Sequence, residues 1–514
     1  MSERAPDDVR SNAELTKAAG DGLRWVTYAR IGIEITLLAG MVALARLLPP
    51  AAFGMFAVVL IIQELALSLP MEGVGSALVQ RTSIGRAHLQ AGMFLSLAVG
   101  IALAVLTWLT AQFIITPIYG HETAGLVRLA TPWFLIGAVY SIPSAQLRRR
   151  LDFRRLSVIE LSMTSSRAVA SIALAAAGLG AKALVLGNLV GMTCALLMAL
   201  SFAPAPLPRW HRREVRELLP YGGPAALACV AWTGFRNGDY AVIGGRLGTL
   251  QAGYYYRGYQ LAVEYQKKIS AVMAQMAFPV LARTDGREAM FALRRRMVRL
   301  LTVVLFPLLG LLVITAPVVV PWLFGEKWEP AVVPTQILAA GGAATLTIDA
   351  IGSAFQAEGR SKAMLGFGIA HFIVYIGAVA AISSHGLVAV SVTAAVVHSA
   401  FLAVAYALLL RTHEGRSVPR VMWDDLSSAL VSSLGLLAAA WPVEAALRAS
   451  GAPVLVTLAL SGITGGVTYL VVLRVVFPSA WRDLLKALDR ILPARVTALF
   501  SRRAAGRRLA EASG

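Results

Sequence analysis

The chain of 514 residues is 57% apolar and 15% charged, with a formal net charge of +19. That balance is the reverse of a soluble domain's, and the basic excess has no water-facing module to carry it onto nucleic acid, so a membrane protein is the class that remains. Cys194 and Cys229 lie in apolar runs without C-x-x-C spacing, which excludes a disulfide framework and a thiolate metal site.

Residues 1–24 are polar and of mixed charge, without the basic start, short apolar core and small-residue site of a cleaved signal. After them, apolar runs long enough to cross a bilayer as helices recur between short polar breaks. They fall near 25–48, 52–79, 89–115, 126–146, 156–178, 182–203, 218–243, 250–280, 297–323, 333–356, 362–383, 386–410, 426–447 and 453–477. The expectation is an all-α membrane protein with about 14 transmembrane helices. None of the runs alternates apolar and polar residues as a barrel strand does. From Trp481 to Leu509, Leu484, Leu485, Leu488 and Ile491 recur at helical spacing among Arg482, Lys486 and Arg490, the pattern of an interfacial amphipathic helix with a basic tail.

Basic residues sort by loop parity. Even-numbered loops hold about 22, among them Arg148, Arg149, Arg150, Arg154 and Arg155, whereas odd-numbered loops hold about 6. The bias puts even loops and both termini in the cytoplasm. The arginine knot at 146–156 therefore reads as a topology anchor, with anionic lipid headgroups as the other occupant it suits.

Two pairs of segments about 200 residues apart are alike: "ARLLPPAAFGMF" (45–56) with "GRLGTLQAGYYY" (245–256), and "PSAQLRRR" (143–150) with "GSAFQAEGR" (352–360). Their common offset suggests a six-helix bundle repeated in the same orientation. The expected organisation is a cytoplasmic segment 1–24, lobes 25–205 and 218–411 joined by a loop at 206–217, two further spans in 412–478, and a basic amphipathic tail 479–514. Four stretches, "ARLLPPAAFGMFAVV", "NGDYAVIGGRLGTLQAGYYYRGYQLA" running on to "FPVLAR", "LFGEKWEPAV" and "AFQAEGRSKAML", resemble the polysaccharide-transporter (Wzx-type flippase) branch of the multidrug/oligosaccharidyl-lipid/polysaccharide (MOP) exporter superfamily. The resemblance implies a V-shaped, MATE-like pair of lobes that alternately opens a central cavity to the cytoplasm and the periplasm of a bacterial inner membrane. It implies a lipid-linked oligosaccharide on undecaprenyl diphosphate as substrate, membrane lipids around it, and polysaccharide polymerase and chain-length machinery as partners. It implies no cofactor and no enzymatic activity.

Ionisable residues inside a span are costly and usually face a cavity or one another. Arg30 and Glu34 stand one turn apart in the first span; Glu64, Ser68 and Glu72 form a polar stripe in the second; Arg236 and Asp239 share the seventh. Arg257, Gln260, Glu264, Lys267, Lys268 and Gln275 line one side of the eighth, and Asp349 is the single ionisable residue of the tenth. The candidate diphosphate contacts are Arg30, Arg236, Arg257, Lys267 and Lys268, since guanidinium and ammonium groups meet phosphate with charge-assisted hydrogen bonds. Glu34, Glu64, Glu72, Asp239, Glu264 and Asp349 are candidates to neutralise them or to carry a coupling proton or sodium ion. Tyr254, Tyr255, Tyr256 and Tyr259 offer aromatic faces to sugar rings. Each set has an alternative: Arg30 with Glu34 and Arg236 with Asp239 as packing pairs, the lysines as snorkelling residues, the tyrosines as an interface belt. Gly187/Gly191 and Gly462/Gly466 read as packing positions only.

Two other functional classes compete with this one. An ion-coupled drug exporter of the same superfamily would favour a net acidic cavity, whereas basic and acidic groups here are near balance. A membrane polymerase or ligase needs a sizeable outer loop, and the loops are short. No G-x-x-x-x-G-K-[ST] run is present for ATP, and His121-Glu122 lacks the second histidine of a zinc-binding H-E-x-x-H.

Overall fold

The computed structural model describes residues 12–264, 286–357, 360–411 and 416–491. Their regular elements are all helical, with no strand among the described residues. In chain order they are α1 (Asn12–Leu47), α2 (Pro50–Gln80, with a π-helical stretch at Leu69–Gly75), α3 (Arg86–Thr110), α4 (Thr116–Leu129), α5 (Pro132–Arg149), α6 (Phe153–Ala176) and α7 (Lys182–Phe202). Then come α8 (Arg212–Leu247), α9 (Thr249–Tyr259, continued by a π turn Gln260–Glu264), α10 (Arg287–Phe324), α11 (Val332–Ala357), α12 (Ser361–Ile382), α13 (Leu387–Leu410), α14 (Val418–Ala449), α15 (Val454–Val476) and α16 (Pro478–Ile491).

Eleven stretches of the described residues are long and apolar enough to cross a membrane, where about 14 were expected. One of the eleven, Arg86–Arg149, runs through α3, α4 and α5, and neither α8 nor α9 is among them. The polarity of α8 has a local cause: Pro220 and Pro224 interrupt it, and Arg, Asp and Glu side chains recur along it. Outward faces confirm the medium. On α3, Ile101, Val105, Leu106, Trp108 and Leu109 are each more than half exposed, a stripe that water would penalise and lipid accommodates. The chain is a multi-pass helical membrane protein.

Breaks between helices follow backbone chemistry. Gly120 and Gly248 take φ of 85° and 87°, a left-handed conformation that other residues adopt at a cost; Gly120 kinks α4 within its length, and Gly248 separates α9 from α8. Asp152 caps α6 by accepting the Arg155 N–H at 3.2 Å.

The helices sort into two compact units. The first comprises residues up to Tyr256 together with Leu323–Lys327; the second comprises Arg257–Trp322 and the chain from Trp328 on. In the first unit α1 lies along α6, α6 along α7, α3 against α5, and α8 against α2 and its π stretch. Small residues permit the close approaches: a Cβ on Gly187 would fall 1.9 Å from Ser171 Oγ, and one on Gly191 would fall 2.7 Å from the Met163 carbonyl oxygen. Those two glycines pack as expected. In the other pair, Gly462 meets Leu311 at ordinary contact distance but Gly466 faces open space, and Gly465 is the residue pressed against Leu436 and Ala440.

In the second unit α11 and α12 pack on α13, and α14 packs on α15. Its basic end is tied by a network that loop counting had treated as topology alone. Arg294 Nη1 lies 2.9 Å from Asp425 Oδ2, and the Tyr406 hydroxyl donates to the same oxygen at 3.0 Å, all three residues being buried. Removing one partner of such a pair costs about 3–5 kcal/mol, because the other charge is left in a low dielectric. Arg295 reaches Asp424 at 3.1 Å, and Arg296 and Arg299 reach Asp483 of α16 at 3.2 and 3.7 Å. Ala480, Trp481 and Leu484 of α16 join the unit's hydrophobic core. At the start of the expected amphipathic tail, Ala480, Trp481 and Leu484 thus pack on protein, while the side chains of Leu488 and Ile491 lie outside the described residues.

The arginine knot also divides by role. Arg149 donates to the carbonyls of Leu78, Arg81 and Thr82 at the end of α2, Arg155 pairs with Asp152 at 3.1 Å and lies over the Phe202 ring, and Arg148 and Arg150 are exposed. At the corresponding place in the repeat, Arg360 donates to the carbonyls of Leu408 and Leu409 at the end of α13.

Candidate functional site

Ionisable and aromatic side chains inside the helices of the first unit make the candidate site. Arg30 on α1 meets two carboxylates: Nε lies 3.6 Å from Glu34 Oε1, and Nη1 donates to Glu160 Oε1 on α6 at 3.3 Å. Arg30 and Glu160 remain about half exposed (53% and 49%), so the trio is not sealed in packing. On α2, Glu64 accepts from Asn237 Nδ2 of α8 at 2.9 Å. Glu72 sits in the π stretch of α2, half-buried, and accepts from Ser76 Oγ at 2.8 Å. Such π insertions re-aim side chains and recur at functional sites.

Asp239 is buried and fully engaged: it accepts from the Tyr255 hydroxyl at 3.0 Å and from the Tyr240 N–H at 2.9 Å. Tyr240 meets the rings of Tyr255 and Tyr256 edge to face at 5.8 and 5.5 Å. A fully buried Tyr255 presents no face to a sugar in this conformation; its observed role is to hold Asp239. Tyr254 is also buried, and Tyr256 is partly open. Arg236 lies on α8 among positions whose side chains are not described, so its expected pairing with Asp239 falls outside the described residues.

In the second unit Arg257 is buried, and its Nη1 donates to Gln260 Oε1 at 2.6 Å. Tyr259 and Glu264 are half-buried around the π turn, and Asp349 is exposed on α11. Lys267 and Lys268 lie outside the described residues. Among the described residues no group of three or more His, Cys, Asp or Glu is placed to hold a metal ion.

Two ionisable residues in the spans of the first unit escaped sequence reasoning. Glu160 and Arg167 stand seven apart on one face of α6, Arg167 within electrostatic reach of Tyr256. The rule already applied to the first, second, seventh and eighth spans would have found them, since both interrupt the apolar run 156–178.

Three of the motif stretches meet in the first unit. A Cβ on Gly54 would lie 1.7 Å from the Thr249 carbonyl oxygen, and a Cβ on Gly253 would lie 1.9 Å from that of Pro50. The contact is reciprocal: Pro50 and Thr249 open α2 and α9, and each glycine stands four residues further on. Beside it Arg46 Nε donates to the Leu323 carbonyl at 3.0 Å, and Lys327 Nζ donates to the Arg46 carbonyl at 2.8 Å. "ARLLPPAAFGMF", "GRLGTLQAGYYY" and "LFGEKWEPAV" are therefore parts of one junction.

Outside the spans, Glu217 at the start of α8 gathers Arg81 (2.6 Å), Arg213 (3.0 Å) and His88 (3.0 Å). His88 Nδ1 accepts the Gly85 N–H at 3.3 Å, so its Nε2–H is the donor to Glu217. The His88 and Arg213 hydrogen bonds, with the charges of Arg81 and Arg213, hold the Glu217 carboxyl below its ordinary range.

Comparison with known proteins places this arrangement. Lipopolysaccharide biosynthesis protein WzxC of Escherichia coli (strain K12) is 25% identical over 370 residues, covering 70% of this chain and 74% of its own length. Teichuronic acid biosynthesis protein TuaB of Bacillus subtilis (strain 168) is 26% identical over 301 residues, covering 56% and 61%. The fold matches the lipid II flippase MurJ in an inward closed conformation with a TM-score of 0.68 at 13% identity, over 90% of this chain and 99% of that one. It also matches an inward-facing multidrug resistance MATE family transporter of the MOP superfamily, with a TM-score of 0.59 at 16% identity over 76% and 95%. The resemblance to the Wzx-type branch and the MATE-like fold are thus upheld. Residues 43–333 match the profile of the family described as polysaccharide biosynthesis protein, and the chain belongs to that family.

Proposed function

We propose that the chain is a flippase that moves an undecaprenyl-diphosphate-linked oligosaccharide from the cytoplasmic to the periplasmic leaflet of a bacterial inner membrane, for surface polysaccharide synthesis. It works by alternating access of lobes 25–205 and 218–411, with both termini cytoplasmic, and it catalyses no covalent step. The observation that carries the reading is that a member of the polysaccharide biosynthesis family keeps Arg30 half exposed in a membrane helix beside two carboxylates. An arginine held this way can exchange its carboxylate partners for a diphosphate without crossing a large desolvation barrier. Arg236, Arg257, Lys267 and Lys268 are the further diphosphate contacts of this reading. Tyr254, Tyr256 and Tyr259 are its sugar contacts, and Tyr255 joins them only if it is released from Asp239. Glu34, Glu64, Glu72, Asp239, Glu264 and Asp349 balance the cationic groups as the substrate arrives and leaves. Polymerase and chain-length proteins would receive the product.

The test is complementation in a strain whose own flippase is deleted, with membrane abundance of every variant measured. Arg30→Ala, Arg236→Ala and Arg257→Ala should each lower surface polysaccharide about tenfold, the effect of losing one charge-assisted contact of about 1.5 kcal/mol. Unchanged polysaccharide in all three removes the diphosphate role. Efflux of a cationic dye by the reconstituted protein would favour a drug exporter instead.

A further inference from the structure

A cluster of titratable groups in the second unit lies outside the site described above. His371 on α12 and His398 on α13 meet edge to face, with ring centroids 5.0 Å apart. His371 is buried and stacks on Phe401 at 4.4 Å and 20°, with Phe367 tilted against it at 5.8 Å. Tyr375 stands edge-on to His398 at 4.8 Å. Both imidazoles are at mid-bilayer depth. His371 is about 15 Å along α12 from Ser361, and His398 about 18 Å along α13 from Leu410, at 1.5 Å per residue in a core of about 30 Å.

We propose that His371 and His398 form a one-proton site that couples transport to the proton gradient; this rests on the transport reading above and supplies its energy source. Three features support it. His398 Nδ1 lies 2.5 Å from the Ala394 carbonyl oxygen and donates to it, which leaves Nε2 as the atom that gains and loses the proton. Burial of His371 against the Phe401 ring opposes a charge on that imidazole, so the proton rests on His398. Two imidazolium charges at this separation in a low dielectric repel strongly, so the pair takes one proton and titrates as a unit. On the elements packed around it, Tyr375 is a further titratable group beside His398, and α11 brings Asp349 to comparable depth, about 12 Å from Ala357. The charged residues of α14 stand toward its ends, Arg420, Asp424 and Asp425 at one and Glu444 and Arg448 at the other. Lys362 and Tyr406 stand toward the ends of α12 and α13 where Ser361 and Leu410 lie.

The experiment has two arms on the full chain. The first labels the seven histidines at carbon ε1 and follows their resonances from about pH 5 to 9 in lipid nanodiscs, with His371→Phe and His398→Gln providing assignments. His371 and His398 should titrate in a shared step, and either substitution should change the remaining partner's step. Two resonances that stay constant, or that titrate independently, overturn the proposal. The second arm measures surface polysaccharide against external pH in the deletion strain. His398→Gln removes the imidazole whose Nε2 takes the proton, and His371→Phe removes its partner while keeping an aromatic ring against Phe401; both should reach the membrane in normal amount yet lose polysaccharide and its pH dependence. Retained output with retained pH dependence overturns the proposal. If the unsubstituted chain restores no polysaccharide, the transport reading fails, while the first arm still decides whether the proton site exists.

Discussion

Glu217 shows how one carboxylate organises a helix start. It holds Arg81, Arg213 and His88 together, so α8 is pinned to the turn between α2 and α3. Because its folded-state pKa is depressed, its contribution is present in full above the ordinary carboxylate value and is lost as pH falls through the folded value. Thermal unfolding of the purified protein should therefore lose midpoint temperature on acidification below about pH 4.3. Glu217→Gln should start lower at neutral pH and lose less over that interval. At this scale sequence reasoning saw arginines and counted them. Which carbonyl or carboxylate each one meets depends on residues far along the chain, as with Arg149 and the end of α2 or Arg294 and Asp425.

The helices themselves were legible, because an apolar run of bilayer length leaves the backbone no other way to satisfy its hydrogen bonds. The π stretch of α2 was not, since nothing in "LPMEGVG" distinguishes one extra residue in a turn from regular helix. The amphipathic character of α16 was legible, but the partner of its first turns was not: an apolar stripe suits lipid or protein, and here Ala480, Trp481 and Leu484 meet protein while Asp483 stands between Arg296 and Arg299. The junction of α2 and α9 depends on having no side chain at two positions. Gly54→Ala and Gly253→Ala should each destabilise the protein by about 1–3 kcal/mol, the usual range for overpacking, and their combination should cost less than the sum because both relieve the same contact. Denaturation midpoints in detergent for the two single variants and the double variant would check this.

For the whole molecule, the bias of basic residues toward alternate loops makes a prediction about orientation. Arg150→Cys should react with a membrane-impermeant maleimide only after cells are opened, whereas Lys182→Cys should react on intact cells. The reverse pattern would invert the proposed direction of transport. Composition, span length and the repeated motifs were enough to determine a multi-pass helical membrane protein of the polysaccharide biosynthesis family, since each is a local or additive property of the chain. Pairings were another matter. That Glu160 completes the Arg30 trio, that Tyr255 occupies Asp239, that three motifs form one junction and that His371 meets His398 were decided by tertiary structure alone. Helical periodicity says which face a residue occupies, but which distant face packs against it depends on the shapes of both.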